Sequence, residues 1–174
     1  MLILLAISGR RTGLFLRLFD ISASQRYTCV MIPGFDQNEN LPPGSYVCTV
    51  DEIEARFANN DHRRMLFNKL LRVIDILKEA CCREIYLNGS FITAEPQPND
   101  FDLCYEPTGL EPTESFRPLL ALDVEARQAL YGGDIFPRMP EPPFCSDHVR
   151  LWQIDKNGDA KGIIRILLRE RFND

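Results

Sequence analysis

Two carboxylates set two residues apart carry the most chemistry in this chain: Asp100 and Asp102, in the run Asp100-Phe101-Asp102-Leu103. In an extended segment side chains alternate faces, so the aspartates share one face while Phe101 and Leu103 turn towards a core. Like charges held a few ångströms apart repel, and without a counter-charge one pKa rises. A hard divalent cation removes that conflict, and Mg²⁺ usually binds through one or two carboxylates plus substrate phosphates. Upstream lies Gly89-Ser90, separated from Asp100 by residues 91–99. Glycine lets the backbone approach a phosphate with no Cβ in the way, and Ser90 can offer its amide and hydroxyl to phosphate oxygens. The plainer alternatives are a solvated strand edge for the aspartates and an ordinary tight turn for Gly89-Ser90.

The elements that must position these residues follow from apolar spacing. Ile85-Tyr86-Leu87 reads as a strand running into the Gly89-Ser90 turn, and Asp100 to Leu103 as a second strand after the proline-containing loop. Thr49-Val50-Asp51-Glu52 is a capping box opening a short amphipathic helix, Val50 to Phe57, broken by Asn59-Asn60-Asp61. A second helix runs from about His62 to Ala80, with Met65, Leu66, Leu70, Val73, Ile74, Leu77 and Ala80 forming a face for a sheet. Residues 32–46 read as an extended arm with turns, and residues 106–118 as a surface loop. Phe116 to Leu130 has helical spacing and ends at Tyr131-Gly132-Gly133, with glycine at the C-terminal cap. Asp134-Ile135-Phe136 is a short third strand stopped by Pro137, and residues 137–144 are a proline-rich loop. Val149 to Ile154 alternates as a strand, Asn157-Gly158 marks a hairpin turn, and Lys161 to Leu168 is the expected return strand.

The pattern from Leu87 through Gly89-Ser90 to Asp100-Phe101-Asp102-Leu103 resembles that of the nucleotidyltransferase fold shared by DNA polymerase beta and the minimal nucleotidyltransferases. The wider run from Met31 to about Leu168 resembles a small, poorly characterised bacterial nucleotidyltransferase-like family. The resemblance implies an α/β (α+β) domain with a small mixed sheet flanked by helices. It implies transfer of a nucleoside monophosphate from a nucleoside triphosphate to an acceptor, supported by two Mg²⁺ ions on Asp100, Asp102 and a third carboxylate. Asp134, after the two glycines, is the choice for that third ligand; Asp123 is the alternative, within a helical pattern, and an ordinary turn residue is the plainer reading of Asp134. Gly89 and Ser90 would hold phosphate oxygens. The 91–99 connection carries Pro96 and Pro98 and lacks the downstream Gly and Ser common in active members. That departure supports a second reading, a catalytically silent module paired with a partner protein, such as one half of a toxin–antitoxin system encoded by neighbouring genes. A structural subunit using the fold as scaffold is a third.

Composition sets the remaining bounds. A chain of 174 residues can build one domain with a real core. Its net charge of −5 argues against a broad nucleic-acid surface, which needs clustered Lys and Arg, but permits a local basic pocket. The six cysteines lack paired Cys-x-x-Cys spacing and read as free thiols in a reducing cytoplasm. The opening run MLILLAI is too short for a membrane span, and its arginines follow it, the wrong order for a secretory signal. Residues 1–30 read as an extension or gene-annotation artefact ahead of a single domain, 31–174; a genuine extra strand or helix on the core is the alternative. His62, Arg63 and Arg64 at a helix start could neutralise a triphosphate, or form a solvated helix end. His148 reads as structural or surface, and Phe144 and Trp152 as core.

Overall fold

The computed structural model describes residues 31–120, 123–139 and 147–168. The expectation for residues 1–30 lies outside them, as do Cys29, Cys145 and Phe144. Strand β1 (Gly44–Val47) leads to helices α1 (Val50–Phe57) and α2 (Asp61–Glu79). Strands β2 (Glu84–Asn88) and β3 (Phe101–Tyr105) follow, then α3 (Val124–Tyr131), β4 (Gly133–Pro137), α4 (His148–Leu151) and β5 (Gly162–Leu167). Short 3₁₀ turns occupy Ser90–Ile92 and Arg117–Leu120. The strands form one mixed sheet in the order β1-β5-β2-β3-β4. β2 runs antiparallel to both β3 and β5, whereas β1–β5 and β3–β4 are parallel pairs. Over the described residues the protein is thus a mixed α/β fold on a five-stranded mixed sheet.

Local signals fix the helices. Thr49 Oγ1 accepts the Glu52 amide at 3.2 Å, and the Glu52 carboxylate accepts the Thr49 amide at 2.7 Å. The reciprocal bonds satisfy backbone donors that the first turn of α1 leaves open. Asn60 caps α2 with a single bond, its Oδ1 accepting the Arg63 amide at 2.8 Å. Asp123, the sequence alternative for a third metal ligand, is instead the N-cap of α3, its carboxylate taking the Ala126 amide at 3.1 Å. Gly132 closes α3 in the left-handed conformation.

One sheet face carries Ile85, Leu87, Leu103, Ile135, Ile164 and Ile166, all buried. Against it pack Ile53 and Phe57 of α1 and Leu66, Leu70, Val73, Ile74 and Leu77 of α2. Burying such side chains is worth about 1.5–3 kcal/mol each before conformational entropy is counted. The opposite face is partly covered by α4: Val149 and Trp152 pack on Tyr86, Cys104 and Ile163. Its far end carries charge, with the guanidinium of Arg165 on Glu84 and that of Arg138 against Asp147, Glu84 and Glu106.

Four expectations need correction. Val149 to Ile154 is not a strand: Asp147 caps α4 by accepting the Val149 amide, so local capping prevails over alternation. The expected hairpin is consequently reduced to one bridge, Ile154 to Ala160, and β5 lies between β1 and β2. The arm 32–46 contains the start of β1, which pairs in parallel with β5. The expected Phe116 to Leu130 helix is two pieces, a 3₁₀ turn and α3, the latter starting at its own cap.

Candidate functional site

The register of β2, β3 and β4 lines up Asn88, Asp102 and Asp134 across three neighbouring strands. Strands in a sheet lie about 4.8 Å apart, so Asp102 and Asp134 are immediate neighbours on one face. Gly133 makes this approach possible: a Cβ there would stand 2.2 Å from the Phe101 carbonyl oxygen. Asp100 precedes β3 by one residue and is tied to the Gly89-Ser90 turn, because Ser90 Oγ donates to the Asp100 carbonyl at 3.0 Å and lies 3.3 Å from Asp100 Oδ1.

Gly89 occupies φ +86° and ψ −175°, a conformation that side chains make costly. A Cβ on it would meet the Asp102 amide at 2.7 Å and Asp102 Oδ2 at 3.2 Å. The glycine therefore lets the turn pack directly against β3, beside the Asp102 carboxylate. Asn88 holds the turn from below. It is buried, its Oδ1 accepts the Gly89 amide at 2.7 Å, and its Nδ2 donates to the Trp152 carbonyl at 2.7 Å.

The electrostatics match this crowding. Burial, followed by the charges of Asp100 and Asp134, pushes the Asp102 carboxyl up to about 6, with Lys161 working against them. Lys161 is itself pulled down by burial and held up by Asp102 and Asp155. Gln128 of α3 donates to Asp134 Oδ1 at 3.0 Å, leaving the other oxygen of that carboxylate outside this bond. Asp102 feels the charge of both other carboxylates, yet among the described residues no three His, Cys, Asp or Glu side chains form a ready ligand set. Mg²⁺ keeps several waters and takes phosphate ligands, so one or two protein carboxylates suit its chemistry.

Sequence reasoning named Asp100, Asp102, Asp134, Gly89 and Ser90, and the fold gathers all five at one end of β2, β3 and β4. It did not single out Lys161, Asn88 or Gln128. Lys161 stands one residue before a β-branched run with no local mark, and only the insertion of β5 beside β2 brings its charge to Asp102. Asn88 did carry a signal: a polar residue ending an apolar strand, directly before a Gly-Ser turn.

The helix-start cations have other employment. Arg64 pairs with Asp61 in solvent. Arg63 is buried, and its guanidinium donates to the carbonyls of Phe57, Glu95 and Phe91. His62 Nε2 meets the Pro98 carbonyl at 2.7 Å, and Asn60 Nδ2 donates to that of Pro96 at 2.9 Å. The first turn of α2 thus bolts down the connection between Ser90 and Asp100. His148 stacks on Phe136 at 4.7 Å and tilts against Trp152, a packing role. Cys48, Cys82 and Cys104 are buried thiols pushed by burial to about 11, 11 and 12, which removes them as nucleophiles near neutral pH.

Fold and site together define a mixed α/β domain with an acidic cluster beside a glycine turn. By its match over residues 33–167, the chain belongs to DUF6932, a family of unknown function. No curated protein and no solved structure matches it. Among the described residues no helix is long and apolar enough to cross a membrane.

Proposed function

We propose that the protein is a Mg²⁺-dependent nucleotidyltransferase that moves a nucleoside monophosphate from a nucleoside triphosphate to an acceptor. The observation that carries the reading is the cluster of Asp100, Asp102 and Asp134 beside the Gly89-Ser90 turn, with Asp102 strained by burial and then by its neighbours' charge. Such a cluster is costly when empty and is relieved by a cation. Asp102 and Asp134, with Asp100, would hold two Mg²⁺ ions. When bound, the metal supplies activation of the acceptor hydroxyl and charge neutralisation on the triphosphate.

The chain's own groups do the rest. Gly89 brings the turn up against Asp102, so a phosphate held at the carboxylates would lie beside the Gly89-Ser90 backbone. The Ser90 hydroxyl is engaged by Asp100, so its part is to fix that carboxylate and not to grip phosphate first. Lys161 adds a positive charge near Asp102, suited to a phosphate oxygen. Gln128 orients Asp134. The test is calorimetry of nucleoside triphosphate binding with and without Mg²⁺. Saturable binding only in the presence of the ion supports the reading; equal binding in both conditions removes the metal from it.

The engaged Ser90 hydroxyl also favours a second reading, the catalytically silent module that binds a partner protein. It predicts no nucleotide transfer and no response of the fold to Mg²⁺.

A further inference from the structure

A cleft of about 400 Å³ lies where the end of α1 and the start of α2 meet the 91–99 connection, with Phe35, Arg56, Arg63, Thr93 and Glu95 among its walls. Its volume is within the range of small-ligand sites. Two guanidiniums reach it. Arg63 is 2% exposed and spends its nitrogens on three backbone carbonyls, none of which cancels its charge. Arg56 lies over the Phe35 ring at 4.5 Å and donates to the Pro33 carbonyl at 3.3 Å, while its Nε is buried without an acceptor.

Among the described residues neither guanidinium has a carboxylate within ion-pair distance; the arginine ion pairs belong to Arg64, Arg117, Arg138 and Arg165. Glu95, the acidic residue of the cleft, is exposed and directs Oε1 to the Gln97 amide at 3.2 Å. Burial without a counter-ion pulls the Arg63 pKa down, with Glu95 only partly offsetting it. A buried cation lacking a compensating charge is costly, and a dianion shared between two guanidiniums relieves that cost.

We infer that this cleft binds a small phosphate monoester, its phosphate between Arg56 and Arg63 and its body against Phe35. Arg63, its nitrogens already engaged, contributes charge, and Arg56, whose Nε lacks an acceptor, contributes the donor; together they favour a dianionic phosphate over a monovalent carboxylate, and the ring favours a flat organic body. The site does not depend on the carboxylate cluster or on Mg²⁺. It shares the 91–99 connection with that cluster, so its ligand touches the segment that joins Ser90 to Asp100.

The full-length protein, uniformly ¹⁵N-labelled, is titrated with phenyl phosphate, inorganic phosphate and benzoate, with chloride matching ionic strength and no Mg²⁺ present. The expected result is saturable movement of the Asn59, Asn60, Thr93 and Glu95 amides, with phenyl phosphate binding most tightly and benzoate at least tenfold more weakly. Arg56→Gln should weaken phenyl phosphate binding at least tenfold, Arg56→Lys less, and Asp102→Asn not at all. Absence of saturation in the wild type overturns the proposal. So does movement confined to Gly89, Ser90 and Asp102, unchanged affinity in a folded Arg56→Gln protein, or loss of binding in Asp102→Asn. Should Arg56→Gln fail to fold, the pattern of wild-type amide movements alone decides between the two sites.

Discussion

Asp102 stands directly opposite Asp134 across the parallel β3–β4 pair, two carboxylates one strand spacing apart on a half-buried face. The arrangement has a consequence for stability that does not require any knowledge of substrate. Burial and its acidic neighbours raise Asp102 to about 6 in the folded protein, against 3.8 for an ordinary aspartate. Between those values the folded state holds the proton that the unfolded state has released. Stability associated with this group is therefore fully present below about pH 4 and is lost as pH rises through about 6.

Asp102→Asn removes that dependence while keeping size and shape. At pH 7.5 the variant should be more stable than the wild type by roughly 1–3 kcal/mol, an upper range because partial solvation screens the charges. The gap should close near pH 4. Urea unfolding at both pH values measures it; a variant less stable than wild type at pH 7.5 would show that the carboxylate is not under strain. Millimolar Mg²⁺ should raise the wild-type midpoint and leave that of the variant nearly unmoved.

Gly89→Ala should cost about 2–4 kcal/mol, from a positive φ and from a Cβ pressed to 2.7 Å on the Asp102 amide. Thermal melts give the cost. The companion Gly158→Ala meets no atom within 4 Å and carries only the conformational part, so it should lose clearly less. Equal losses would mean that the close approach of Gly89 to β3 is not a constraint.

These two sites also mark what the sequence made legible. The Thr49–Glu52 capping box and the Asp100–Asp102 alternation are local, and physics acting over three or four residues decides them. The choice of Asp134 came from family resemblance, and only the parallel β3–β4 register puts it opposite Asp102. The place of β5 between β1 and β2 depends on contacts far apart in sequence, which no periodicity encodes, and Lys161 depends on that placement. Val149 to Ile154 shows the converse failure: its alternation was real, but Asp147 caps a turn of helix there and Arg138 holds Asp147 at 3.4 Å.

Arg63→Ala should destabilise the protein by about 2–4 kcal/mol, because it strips donors from the buried carbonyls of Phe57 and Phe91 and from that of Glu95. Lysine cannot span three acceptors and should rescue little. Hydrogen exchange of residues 91–99 should accelerate more than that of β5. Uniform acceleration across the sheet would instead identify Arg63 with global stability and not with this connection.

The buried thiols Cys48, Cys82 and Cys104 should resist a thiol reagent at pH 8 until urea unfolds the chain, given pKa values of about 11 or 12. Mass spectrometry of labelled peptides reads each site. Rapid native labelling of Cys104 would place the sheet face beneath α4 in contact with solvent.

The most direct test of the functional account is label transfer from radiolabelled nucleoside triphosphates to RNA, protein and small-molecule acceptors, with wild type and Asp102→Asn compared under Mg²⁺. Melting curves run beside the assay establish that the variant is folded. The account predicts transfer by the wild type and a loss of at least 100-fold, on the order of 3 kcal/mol in the barrier, in the variant. An Asp102→Asn protein that transfers label as fast as wild type would contradict it.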